Sequence, residues 1–154
     1  MACRADASAG AGGRCLQIEL ARDPQAPSVA RAAVRGFTED SDVTAAGSAT
    51  LALLVSELVS NAVLHSDAPP ASAIVLRARL LDSRTVRVEV LDRGSGLKAT
   101  PRDPARPDGG YGLYLVNKEA TRWGVDRHGG TRVWFELGLA GRGAGVSRAP
   151  DLGI

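Results

Sequence analysis

The chain has 154 residues, of which 44% are hydrophobic and 23% charged, values that fit one ordinary globular domain. Its 19 basic and 17 acidic residues give a net charge of +2, which is too balanced for the concentrated basic face on which nucleic-acid binding usually depends. No apolar run approaches the roughly 20 residues of a membrane span, and the N-terminus lacks the apolar segment of a signal peptide, so we expect a cytoplasmic protein without membrane contact.

Two glycine-rich ends flank one patterned segment. Residues 1–14 and 141–154 show no hydrophobic periodicity, so we predict disordered tails there and a single domain over residues 15–140. The two cysteines are Cys3 and Cys15. In a reducing cytoplasm they are expected to be thiols, although a disulfide between them is the alternative.

The segment from residue 15 to residue 65 predicts a strand and two helices. Cys15–Leu20 alternates apolar and polar residues, as a strand does. Asp23 followed by Pro24 is typical of a helix start, and this first helix is predicted to end near Phe37. Its apolar stripe is expected to consist of Val29, Ala30, Ala33, Val34 and Phe37. A second helix over about 44–65 has a heavier stripe, formed by Leu51, Leu54, Val55, Leu58 and Ala62.

The rest of the chain predicts a sheet and a third helix. Residues 73–80 and 85–92 read as a hairpin, and 97–109, rich in proline and charge, reads as a loop. A helix is predicted from Gly110 to about Trp123, followed by strands over residues 124–127 and 131–137 that flank a Gly129-Gly130 turn. The predicted fold is α+β: a two-layer sandwich whose mostly antiparallel sheet has its helices on one face.

The second helix places a carboxylate and a carboxamide on one face. Glu57 and Asn61 are four residues apart, beside the apolar stripe. An amide oxygen suits Mg²⁺, and a carboxylate next to it suits a general base. The alternative is that both residues simply mark the solvent edge of an amphipathic helix.

Two glycine-containing segments follow that could hold a nucleotide. Asp92 ends a strand, and Gly94 and Gly96 follow it, so a carboxylate that can accept from an exocyclic amine stands beside a backbone able to lie against a flat ring. Gly110 and Gly112 precede the third helix, whose N-terminal amides favour an anion. An ordinary turn and a loop hinge are the alternatives, and no Gly-x-x-x-x-Gly-Lys-Ser/Thr sequence occurs, which excludes a P-loop.

These motifs together resemble those of the histidine-kinase-like (GHKL, Bergerat-fold) ATPases, and most closely the small anti-sigma-factor-type regulatory serine/threonine kinases abundant in actinobacteria. The resemblance covers about Leu16 to Leu137. Leu53–His65 is similar to the family's N-box, Val90–Leu97 to its first glycine box and Gly109–Val116 to its second, and 122–125 and 130–137 to the end of the domain.

The resemblance implies a role for each matching residue. Asn61 would coordinate Mg²⁺, Glu57 would be the catalytic general base, and Asp92 would bind the adenine amino group of ATP. The implied nucleotide-binding set also includes Gly94, Gly96, Gly110, Gly112, Leu113 and Thr131. His65 is implied either to pack or to contact phosphate, and Arg102 and Arg106 of the loop either to meet phosphates or to be solvated.

The resemblance also implies a function with an alternative. The first hypothesis is a serine/threonine kinase that uses Mg·ATP to phosphorylate an anti-anti-sigma-type protein, binds a sigma factor and controls transcription by partner switching; relatives of this kind often form homodimers. The alternative is an ATP-binding interaction module without catalysis. A scaffold that no longer binds nucleotide is the third reading, against which Asn61, Asp92 and the two glycine boxes argue.

Overall fold

The computed structural model describes residues 13–94 and 111–140, and only the backbone of Tyr111 and Gly112. The predicted loop 97–109 lies outside these residues, as do Cys3 and most of both predicted tails. The described chain forms β1 (Cys15–Leu20), α1 (Ala26–Thr38), α2 (Ala45–His65), β2 (Ile74–Leu80), β3 (Thr85–Asp92), α3 (Tyr111–Glu119), β4 (Arg122–Asp126) and β5 (Thr131–Gly138).

The described strands form one antiparallel five-stranded sheet in the order β1-β2-β3-β5-β4. α1 and α2 pack together, and α2 contacts β3, β5 and α3. The α+β sandwich predicted from the sequence is therefore confirmed. Its hairpin between β2 and β3 turns at Asp82, whose carboxylate accepts a 2.7 Å hydrogen bond from the Arg84 backbone N–H, and this bond lowers the pKa of Asp82.

The two faces of the sheet divide as the alternation in the last strand predicts. Thr131, Val133 and Phe135 are buried in β5 on the side of the core, and Val133 and Phe135 are in register with buried valines of β3. Trp134 lies on the other face, where Gly124 and Arg87 cover it, with the guanidinium carbon of Arg87 4.0 Å from the ring centroid. This cation–π contact covers an aromatic ring on the face of the sheet away from the core.

The start of α1 differs from the prediction. The helix begins at Ala26, with Pro27 in its first turn, rather than at Asp23-Pro24. The Asp23 carboxylate instead accepts a 2.8 Å hydrogen bond from the Gln25 N–H, a local turn that competes with helix formation. The buried stripe is correspondingly displaced, and the prediction that Val29 belongs to it is wrong, since Val29 is 50% exposed. The buried residues are Ala26, Ala30, Val34, Phe37 and Thr38.

The end of α3 also differs. The helix stops at Glu119, and Trp123 belongs to β4 instead of ending the helix. The Thr121 N–H donates to the Glu136 carbonyl oxygen at 2.8 Å, so the chain has already joined the sheet two residues before Trp123. In β4, Trp123 and Val125 alternate towards the core opposite Phe135 and Val133, and this burial outweighs the continuation of a helical pattern.

α2 is the central helix of the domain and is predicted correctly. All five residues of its predicted stripe are buried, together with Ala52, Ser56 and Val59. By length and composition it could also span a membrane, contrary to our reading that no run is long and apolar enough. Half of its most apolar window is buried against the rest of the protein, as expected of the core helix of a sandwich.

Two helical glycines predict opposite effects of the same substitution. A Cβ at Gly47 would lie 2.3 Å from the Leu139 carbonyl oxygen, which also accepts hydrogen bonds from the backbone N–H and the hydroxyl of Thr44. A Cβ at Gly36 meets nothing within 4 Å. We expect Gly36→Ala to raise the free energy of unfolding by about 0.5–1 kcal/mol.

Gly47→Ala should lower that free energy although alanine is the better helix former, because the clash is with backbone that cannot rotate away. Urea denaturation of both variants measures the difference. Equal stabilisation of both would contradict the packing of α2 against the residue that follows β5.

Candidate functional site

One corner of the sandwich brings together Asp92, Gly94 and Thr131 of the predicted site. Asp92 ends β3 and pairs in register with Thr131, the first residue of β5. A Cβ at Gly94 would lie 2.3 Å from the Ser66 hydroxyl and 3.2 Å from the Ala68 nitrogen, so the chain after β3 touches the chain that leaves α2. The C-terminal end of α2 is thereby held against the ends of two central strands.

Glu57 and Asn61 lie on the C-terminal half of α2, one turn apart. Both side chains are partly buried, while the neighbouring Leu58 and Ala62 are in the core. Within the described residues neither Glu57 nor Asn61 has a hydrogen-bond or ion-pair partner. Neither side chain has a buried polar atom that lacks a partner, so the polar atoms of both are available to water or to a ligand.

The carboxylate of Asp92 is held by an arginine that the sequence did not single out. Arg22, between β1 and α1, forms a buried ion pair with Asp92, and the two side chains are 7% and 8% exposed. Asp92 Oδ1 accepts from Arg22 Nη2 and from the Gly94 N–H at 3.4 Å. No described residue donates to Asp92 Oδ2, so that oxygen can accept from a ligand.

Thr131 is brought to the same corner but already uses its hydroxyl. The side chain is buried, and its Oγ1 donates to the Gly94 carbonyl oxygen at 3.2 Å. The bond fixes the turn after β3 against the start of β5. The oxygen of Thr131 can still accept a hydrogen bond from a water or a base, as the predicted supporting role requires.

The second glycine segment is described only in part. Gly112 lies in the first turn of α3, whereas Gly110 and Gly96, Arg102 and Arg106 lie outside the described residues. Leu113 packs against the core, and α3 contacts α2, so the helix predicted to receive phosphates lies beside the helix that carries Glu57 and Asn61.

Comparisons with known proteins decide the family. A model described as a histidine kinase-like ATPase domain matches residues 20–137, most of the chain and all the elements of the site. The chain belongs to the histidine kinase-like ATPase domain family. Together with the two relatives below, this confirms the resemblance to the anti-sigma kinase group of these ATPases.

The histidine kinase-like domain has a relative and a structural neighbour among regulators. An anti-sigma F factor from Caldanaerobacter subterraneus subsp. tengcongensis is 30% identical over 83 residues, which are 54% of this chain and 57% of the relative. The RsbU and RsbW domains of Rv1364c from Mycobacterium tuberculosis superpose with a TM-score of 0.64 at 26% identity, covering 82% of this chain and 32% of theirs. The chain thus spans just over half of one relative and a third of the other.

The position of His65 distinguishes between its two predicted roles, packing and phosphate contact. It is the last residue of α2 and is exposed, which argues against packing in the core of the histidine kinase-like domain and leaves phosphate contact as the prediction. No cluster of three or more His, Cys, Asp or Glu side chains suited to a metal occurs among residues 13–94 and 111–140. The Asn61 amide oxygen is a donor of the kind that Mg²⁺ prefers.

Two residues of this corner escaped the sequence analysis. Arg22 stands beside Asp23-Pro24, and no local pattern marks its contact with Asp92, 70 residues away. Gly130 was assigned to a turn and to the segment that resembles the end of the domain, but not to the site; it has a φ of 134°, and a Cβ there would lie 2.5 Å from the Asp92 carbonyl oxygen. Its neighbour Gly129 has φ of 68° and open space around it.

These two glycines predict different effects on the site. Gly130→Ala should displace the end of β3 and weaken nucleotide binding, since the new Cβ meets the backbone of Asp92 itself. Gly129→Ala carries only the cost of a left-handed conformation, about 1–2 kcal/mol of stability, and should leave affinity unchanged. Titration with Mg·ATP compares them, and equal affinities would contradict the close approach of Gly130 to Asp92.

Proposed function

We propose that this histidine kinase-like domain binds Mg·ATP and transfers the γ-phosphoryl group to a serine or threonine of an anti-anti-sigma-type partner protein. The observation that carries the proposal is the pair on α2: Glu57 and Asn61 share one face, are partly buried and have no protein partner among the described residues. Asp92, whose Oδ2 accepts nothing from described residues, supplies the acceptor for the adenine amine in the same corner.

The residues fit the chemistry of phosphoryl transfer, which asks a protein mainly for positioning, charge neutralisation and a base. The Asn61 amide oxygen is a hard donor of the kind Mg²⁺ prefers. Glu57 would take the proton of the attacking hydroxyl while the hydroxyl oxygen bonds to the γ-phosphorus. The bond between that phosphorus and the β–γ bridging oxygen would break in the same step, which releases ADP. Gly110 and Gly112 would present backbone amides to the phosphates.

The regulatory part of the proposal is supported by the relatives. One relative is named as an anti-sigma F factor, and the structural neighbour contains an RsbW domain. We infer that this chain also acts in partner switching, by binding a sigma factor or an anti-anti-sigma protein, as a cytoplasmic homodimer. α2, which could be mistaken for a membrane span, is packed in the core, in keeping with that location.

The proposal is tested with γ-labelled ATP, Mg²⁺ and either a purified anti-anti-sigma-type protein or fractionated host lysate. The matched control is Glu57→Ala, first checked for unchanged Mg·ATP binding. Label on a small protein in the wild-type reaction only would support the kinase. Binding of Mg·ATP without any Glu57-dependent label would favour the alternative, an ATP-binding interaction module that acts without catalysis.

A further inference from the structure

Arg22 lies in the segment between β1 and α1, and its side chain contacts three distant parts of the chain. Its guanidinium Nη1 donates to the Ala62 carbonyl oxygen at 2.6 Å, and its Nη2 donates to Asp92 and, at 3.3 Å, to the Ser72 hydroxyl. Its Nε is buried and has no hydrogen-bond partner among the described residues. One side chain that is 7% exposed therefore joins the end of β3, the last turn of α2 and the segment before β2.

Burying such a group costs several kcal/mol, and replacing a buried pair by apolar residues is often neutral or stabilising. The pair is thus poorly explained by stability alone. Arg22 lies against the carboxylate proposed to recognise adenine, and it caps a carbonyl oxygen at the end of α2, directly after Asn61. Its contacts join Asp92 to the last turn of α2 through one rigid, planar cation.

We propose that Arg22 is a positioning residue for base recognition, which holds the Asp92 carboxylate in place through Oδ1 so that Oδ2 accepts from the exocyclic amine of adenine. This inference rests on the proposed function, because it requires a nucleotide at Asp92. The fork of the guanidinium matters as well as its charge: Nη1 is fixed on Ala62 while Nη2 holds the carboxylate, an arrangement that a lysine ammonium reproduces only in part.

A competing arrangement makes the opposite prediction. If Arg22 merely occupied the acceptor that adenine needs, it would have to leave before the base binds, and its removal would tighten ATP binding. The contacts favour positioning, because Arg22 takes Oδ1 together with the Gly94 N–H, and Oδ2 receives no donor from the described residues.

The test compares two nucleotides that differ in one group. Mg·ATP and the triphosphate of purine riboside, which lacks the exocyclic amine, are titrated into wild type, Arg22→Lys and Arg22→Gln by calorimetry at low temperature. Arg132→Gln is the matched control, since Arg132 also pairs with a carboxylate at this end of the sheet but is 42% exposed. Circular dichroism confirms that each variant is folded.

We expect wild type and the control to prefer Mg·ATP, and Arg22→Gln to lose about tenfold or more of that preference, as loss of a hydrogen bond to a charged group does. Arg22→Lys should fall between them, and it decides the question if the glutamine variant does not fold. In an Asp92→Asn background, removing Arg22 should cause no further loss of preference, a coupling that a merely structural role would not produce.

Three results would overturn the inference. An Arg22→Lys or Arg22→Gln variant that keeps the wild-type preference shows that Arg22 does not position the acceptor. Tighter binding of Mg·ATP by either variant shows instead that Arg22 competes with the base. If wild type binds neither nucleotide, both the proposed function and this inference are overturned. If wild type binds Mg·ATP and the Arg22 variants keep its preference, this inference alone is overturned.

Discussion

Replacing Glu57 with glutamine is expected to slow phosphoryl transfer to the partner protein by about 100- to 10,000-fold, the usual contribution of a general base. Glutamine has the same shape but cannot accept the proton of the attacking hydroxyl. Affinity for Mg·ATP should change little, because the proposed metal ligand is Asn61, one turn along α2. Single-turnover transfer of label, measured with saturating Mg·ATP, separates the chemical step from binding.

Glu39→Gln serves as the control for this experiment. Glu39 is exposed beyond the end of α1 and lines a cavity of about 540 Å³ near the start of α2, at the other end of that helix from Asn61. It should transfer phosphate like wild type. A Glu57→Gln variant with the wild-type rate would contradict the role of Glu57 as base. It would favour the alternative, in which Glu57 only marks the solvent edge of an amphipathic helix.

Asp92→Asn is expected to lower the free energy of unfolding by about 3 kcal/mol or more, before any nucleotide is added. The substitution leaves the Arg22 guanidinium buried without its carboxylate, and removing one partner of a buried pair typically costs about 3–5 kcal/mol. The variant should also lose affinity for Mg·ATP, since it lacks the charged acceptor for the adenine amine. Urea denaturation without ligand isolates the first effect.

Asp126→Asn is the matched comparison for stability. Asp126 pairs with Arg132 on the outer face at the same end of the sheet, but the two side chains are 32% and 42% exposed. An exposed pair contributes about 1 kcal/mol or less, so this loss should be small. If Asp92→Asn lowered the free energy of unfolding no more than Asp126→Asn does, the Arg22–Asp92 pair would be solvated. That result would contradict the burial of this pair.

The architecture could be predicted from the sequence because the pattern of buried apolar residues largely determines it. β3 alternates regularly between buried and partly buried residues, and α2 is apolar over most of its length, so both elements could be recognised from their residues. The predicted start of α1 and end of α3 were wrong, because another local turn or the burial of a side chain in the sheet outweighed the helical pattern. Asp23-Pro24 looked like a helix start, but the carboxylate of Asp23 closed a turn, and Trp123 continued a helical pattern but was buried in a strand.

The site was predictable to the extent that its residues lie in local motifs. Glu57 and Asn61 could be placed on one helix face from spacing alone, and Asp92 at a strand end from the glycines that follow it. The Arg22 contact spans 70 residues, and that of Gly130 joins two strands, so neither has a signature along the chain. Long-range contacts of this kind depend on how elements distant in the chain pack together, which no local sequence pattern specifies.

The most direct measurement is the unfolding transition of the wild-type protein with and without Mg·ATP, in parallel with Asp92→Asn. A site built from α2, the end of β3 and the start of β5 predicts stabilisation of wild type that approaches about 2.7 kcal/mol when ligand is at 100 times its dissociation constant. Asp92→Asn should gain much less at the same concentration. A wild-type transition that does not move with Mg·ATP would contradict a nucleotide site in this corner.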